Sequence, residues 1–301
     1  MNDSIPVPQK PYAAMLLAAI GAASGAGIIL YNSRATTASQ EFISTPEFWA
    51  WLFVMCTQTA FFAVVVVPLL QLVKQLKHYF AGNKIDIVLS TVIASAMFWA
   101  PPLVRGVVLS DIDWPLTYHG LKMVIIVGLG FVPILLAAVG IWLVHAALRT
   151  TFASSEPDKE LVQRYLYLQD NLQWLLWTLG AMISLATLAA GAQRNALIAV
   201  AASNANKFSS AMVLTYGAYL TMLLFLIYVP VHKSLLTAGC QLQDAFFPLL
   251  SPDSDSWADI HSKREKLGDL LKLQMTAGQS FKTSIAILSP LIGSIVSTLL
   301  S

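Results

Sequence analysis

The run Met123–Leu148, MVIIVGLGFVPILLAAVGIWLVHAAL, decides the fold. It lies between Lys122 and Arg149, and His145 is its one ionisable side chain. Wound as a helix it extends roughly 39 Å, more than the ~30 Å of hydrocarbon in a bilayer. Lipid offers the backbone no hydrogen bonds, so a run of this length crosses as an α-helix. A β-barrel would show ~10-residue segments of alternating polarity instead, and none occurs.

Outward from this run the pattern recurs. Tyr12–Tyr31, Phe48–Val73, Ile87–Val104, Leu172–Gln193 and Phe208–Val231 are also uncharged. The expectation is therefore an all-α polytopic membrane protein with six transmembrane helices in residues 1–231. A tail, 232–301, follows. Its last apolar run, Thr283–Ser301, opens with Thr283 and Ser284 and contains Pro290, so it reads as an interfacial or re-entrant segment packed back on the bundle. Composition agrees. Of 301 residues, 11% are charged and 56% hydrophobic, with mean hydropathy +0.67. A soluble domain carries ~25% charge, and a disordered chain is polar rather than apolar. A net charge of +2 without a basic patch excludes nucleic acid as a partner.

Lys and Arg set the orientation. Thirteen fall at Lys10, Lys74, Lys77, Lys84, Arg149, Lys159, Arg164 and in the tail. Five fall on the other side, at Arg34, Arg105, Lys122, Arg194 and Lys207. This asymmetry predicts a cell inner membrane protein with both termini cytoplasmic. The first run is longer than the 7–15-residue core of a cleaved signal peptide, so it is read as a retained helix. Trp49, Trp51, Tyr12, Tyr31, Trp114 and Tyr118 fall near span ends, where amphipathic rings prefer to sit.

Two stretches predict a cytoplasmic helical layer. Leu161, Tyr165, Leu168, Leu172, Leu175 and Leu179 alternate at steps of four and three, a heptad seam. The seam runs from charged sequence straight into the fifth span, so 158–171 reads as a helical extension of it. Such a seam needs a partner, from this chain or a second protomer. In the tail, Trp257, Ile260, Leu267 and Leu271 share one helical face opposite Asp259, Lys263, Lys266 and Asp269. The simplest packing sets this helix against the fifth-span extension.

The remaining candidates are local. Gly21 and Gly25, four apart, form a small face for close helix packing or an oligomer seam. Pro101 and Pro102 break the third span, which frees carbonyls to line a cavity. Arg105 follows the break, as an interfacial anchor or a cation beside a path. Asp111 and Asp113 in the next loop are solvated charges, or an acidic ring in an oligomer. His145 lies one turn before Arg149, at the interface. Cys56 and Cys240 have no CxxC partner, and no HExxH, P-loop or GxSxG motif occurs. No cofactor, metal or enzymatic role is predicted. The expected function is a homo-oligomeric, channel-like or membrane-perturbing assembly gated through its cytoplasmic helices. The alternatives are a scaffold that recruits a soluble cytoplasmic protein and a small secondary transporter.

Overall fold

A computed structural model describes residues 10–78, 114–151, 158–200, 208–249, 256–273 and 277–299, together with Val88, Thr91, Val92, Ser95, Ala96 and 98–100. Among these residues the fold is all helical, with no strand. The helices are α1 (Pro11–Leu30), α2 (Thr37–Ile43), α3 (Pro46–His78), α4 (His119–Thr151), α5 (Lys159–Val200), α6 (Ser210–Phe246), α7 (Trp257–Leu270) and α8 (Ala277–Leu299). Five of them, α1 and α3 to α6, are long and apolar enough to cross a membrane. The expected third span, 87–104, falls mostly outside the described residues.

Helix starts follow local chemistry. Pro11 occupies the first turn of α1, where its missing N–H costs nothing. Thr36 Oγ1 accepts from the Ser39 N–H at 3.1 Å to cap α2. Asp158 accepts from the Lys159 N–H at 2.5 Å to open α5. Asn32, with φ 52°, turns the chain sharply after α1.

Helix directions follow from cross-helix contacts. Gly21 of α1 faces Thr59, Ala60 and Ala63 of α3, while Ile29 clusters with Phe48 and Trp51, so α1 and α3 are antiparallel. Trp51 lies near His119, and Phe62 lies on Gly130, so α3 and α4 run parallel. α5 runs against α4, with Gln193 at His119 and Leu175 at Gly140. α6 returns beside α5, from the Arg194–Phe208 contact to Tyr165 at Gly239. The Lys159 end of α5 therefore lies with the ends of α3, α4 and α6 that carry Lys77, Arg149 and Lys233.

α5 is the central helix, buried from Leu161 to Leu197. The heptad seam is covered within the chain. Leu161, Tyr165, Leu168 and Leu172 join Leu72, Leu76, Leu148, Leu235 and Leu242 in one apolar cluster. Tyr167 Oη donates to Gln75 Oε1 at 2.9 Å and adds a polar tie from α5 to α3. α6 continues fifteen residues past the expected end of its span at Val231, to Phe246. That extension corrects the expected position of the tail helix. α7 lies chiefly on α6, where Arg264 pairs with Asp244 and donates to Phe247 O at 2.8 Å. The turn that ends α7 reaches α5, through Gln169 to Leu271 O at 3.2 Å and Lys272 to Asp170 at 3.3 Å.

The outer surface of the long helices is built from large apolar side chains. Met15, Phe53, Leu121, Val124, Met222 and Phe225 are exposed, Phe53 by 73%. Where α1 meets α3, the inward face carries small residues. A Cβ on Gly21 would sit 2.5 Å from Thr59 O, and one on Gly25 would strike the Thr59 side chain. Large apolar residues facing outward, together with small ones at the α1–α3 contact, suit lipid, where close dispersion contacts rather than water hold helices together. The chain is a multi-pass membrane protein.

Candidate functional site

Within the bundle α3, α4, α5 and α6 do not close completely. They leave a cavity of about 110 Å³, with Phe98 and Trp99 completing its wall. The opening arises from small residues. Ala186, Ala189 and Ala190 of α5 leave room where larger side chains would meet. Gly130 of α4 lets the Phe62 ring lie where a Cβ would be only 2.5 Å from it.

Polar groups reach this apolar chamber from two helices. Gln58 of α3 and Gln193 of α5 are 7% and 2% exposed and both line it. Among the described residues Gln58 Oε1 meets no hydrogen-bond donor. A buried amide oxygen without a partner costs about 1–3 kcal/mol, so water or a polar solute in the cavity would relieve it. Met55 and Met123 add polarisable sulfurs, and Tyr216 adds a ring.

Toward the Val200 end, Gln193 joins a polar and aromatic cluster beside the cavity. Gln193 Nε2 lies 2.9 Å from His119 Nε2, in a hydrogen bond whose direction follows the imidazole tautomer. His119 stacks flat on Trp114, with centroids 3.8 Å apart. Next to it Lys122 is 3% exposed, and its Nζ donates to Ile29 O at 2.9 Å. That carbonyl is in the last turn of α1, the negative end of the helix dipole, so the ammonium caps α1. Arg194 Nε donates to Phe208 O at 2.8 Å and ties α5 to the start of α6.

The residues singled out by sequence fall in several places. Pro101, Pro102, Arg105, Asp111 and Asp113 lie outside the described residues. Gly21 and Gly25 face α3, and Leu161, Tyr165, Leu168 and Leu172 lie in the core of the chain itself. His145 is half-buried, edge-on to Trp142 at 5.7 Å. It lines a second cavity with Arg149 and Lys233 at the Lys159 end, far along α4 from Gln58 and Gln193. Gln58, Gln193, His119 and Lys122 were not singled out. Gln58 lies inside one uncharged run and Gln193 ends another, and a search for ionisable groups passes over amides. Lys122 reads in sequence as a flanking charge, and only packing buries it.

Among the described residues no group of His, Cys, Asp and Glu is placed to hold a metal ion. The cavity presents amides, thioethers and aromatic faces, which suit water or a small uncharged polar solute. Compared with protein-family models, curated proteins and solved structures, the chain matches none of them.

Proposed function

We propose that this protein is a non-enzymatic, channel-like membrane protein whose path for a small uncharged polar solute runs through its own helix bundle. The observation that carries the reading is the cavity holding Gln58 and Gln193 among apolar spans. Polar groups in the interior of a membrane bundle are costly and commonly mark a pathway. The small and heptad faces suggested for an oligomer are occupied inside the chain, so the path belongs to each protomer whether or not protomers associate. The helices that surround the cavity continue into the apolar cluster at the Lys159 end, which supports control from that end.

The topology we infer has six crossings in residues 11–246. α3 ends on the Lys159 side and α4 starts on the other, which supports a sixth crossing between them. Phe98 and Trp99 contact the cavity wall, as a returning segment would. The excess of Lys and Arg supports a cytoplasmic Lys159 end in a cell inner membrane. α8 is assigned to the membrane as well. Its small face (Ala286, Pro290, Gly293 and Ser294) packs inward, and Leu288, Ile292, Ile295 and Val296 are exposed. It runs parallel to α5, with Ala286 at Gly180 and Gly293 at Thr187, and it reaches Gly217 near the start of α6. On this reading the C-terminus lies opposite the N-terminus, not beside it in the cytoplasm.

Stopped-flow swelling of proteoliposomes in glycerol and urea tests the function. Permeability above that of empty liposomes is expected, with a clear reduction for Gln58→Leu. Purified, correctly folded protein that leaves permeability unchanged would remove the reading.

A further inference from the structure

The second cavity, at the Lys159 end between α4 and α6, has a volume of about 540 Å³ and is open to the surface. Its lining includes His145, Arg149, Lys233, Ser234, Thr237 and Gln241. Among the described residues no carboxylate lines it. The hydroxyls of Ser234 and Thr237 donate to Pro230 O at 3.1 Å and Lys233 O at 3.0 Å, inside α6. Recognition therefore falls to Arg149 and Lys233, both exposed, with His145 and Gln241 beside them. His145 Nδ1 is buried and has no hydrogen-bond partner among the described residues. Two cations and a polar imidazole, with no carboxylate among the described lining residues, form a site for an anion.

The surface below the cavity indicates which anion. Lys233, Val229, Leu226 and Met222 are spaced by four, three and four, so they form one stripe on α6. All four are exposed, Met222 by 63% and Leu226 by 47%. The stripe leads from the cationic cavity onto the lipid-facing surface of the bundle. A free phosphate would use only the upper part. A phospholipid would use both, with its phosphate at Arg149 and Lys233 and an acyl chain along Val229, Leu226 and Met222. We infer that this cleft is a binding site for an anionic phospholipid, seated between α4 and α6. The inference rests on the membrane-spanning fold and is independent of the proposed conduction.

Native mass spectrometry of the full chain in detergent tests it, with phosphatidylglycerol, phosphatidylcholine and inorganic phosphate as separate probes. Phosphatidylglycerol should be retained over phosphatidylcholine. Each cation is worth about fivefold in affinity for an anionic lipid, so Arg149→Gln with Lys233→Gln should weaken phosphatidylglycerol binding about thirtyfold. The single variants should each lose about fivefold. The charge-conserving pair Arg149→Lys with Lys233→Arg should retain binding, as should Lys263→Gln on α7. Equal retention of the two lipids would overturn the proposal, as would undiminished binding by the single glutamine variants. Displacement of the lipid by inorganic phosphate at comparable concentration would assign the cleft to a soluble anion instead and overturn the lipid assignment.

Discussion

α7 and α8 are neighbours in sequence and opposites in construction. α7 presents Asp259, Lys263, Glu265, Lys266 and Asp269 outward and buries Gly268 and the following Leu271. All three ion pairs found among the described residues involve α7 or the turn that ends it: Lys263–Asp259, Arg264–Asp244 and Lys272–Asp170. α8 reverses the pattern. Its exposed positions past Ser284 are Leu288, Ile292, Ile295 and Val296, and its buried positions are Ala286, Pro290 and Ser294. Each helix is amphipathic, so amphipathicity alone does not say where a helix lies. Which class of residue faces out is what tells water from lipid. In water a helix buries its large apolar side chains. In lipid those side chains lose nothing by staying outside, and small residues turn inward because they allow the closest contact.

The sharpest way to break this comparison is all-or-none. An epitope placed after Ser301 should be accessible from the face of the membrane opposite to one placed near Lys263. Labelling both epitopes from the same face of sealed vesicles would return α8 to an interfacial or re-entrant position. Next in size is a paired substitution. Ile292→Lys puts a charge on the exposed face of α8 and should cost about 3 kcal/mol if that face meets hydrocarbon. Leu270→Lys, on the comparably exposed end of α7, should stay within about 0.5 kcal/mol. Folded yield and thermal unfolding in detergent report both, and equal costs would erase the distinction. Smaller again is Gly217→Leu. A Cβ there would sit 2.5 Å from Ser294 Oγ and 2.9 Å from Pro290 O, so α8 must shift. Overpacking of this kind costs about 1–3 kcal/mol. It should appear as faster proteolysis of α8, with little change around α7.

Much of the architecture is legible in the chain because bilayer thickness is a fixed ruler. Met123–Leu148 lies within α4 and Leu172–Gln193 within α5, and the charged sequence before Leu172 continues as the same helix. Helix ends were less legible. Val231 is the last residue of an uncharged run, yet α6 passes it without interruption because a flanking charge does not by itself stop a helix. The heptad seam was visible as a pattern without a partner. Several neighbours cover it, and none is adjacent in sequence: Leu72 and Leu76 from α3, Leu148 from α4, and Leu235 and Leu242 from α6. The cavity was not legible at all. Gln58 and Gln193 are 135 positions apart, and nothing local says that they open on the same space.

The sequence by itself determined that this protein is a helical membrane protein, and which ends of its helices carry most of the basic residues. Both are sums over local composition, namely transfer of apolar runs into lipid and retention of cations outside it. Nothing after Lys282 is charged, so the same arithmetic has no term for the C-terminal helix. Its place beside Gly180 and Gly217, the burial of Lys122 on the end of α1, the chamber around Gln58 and the cleft between Arg149 and Lys233 were decided only by tertiary structure. The physical reason is that close packing depends on which small residue meets which neighbour across the bundle, and those partners are remote in the chain.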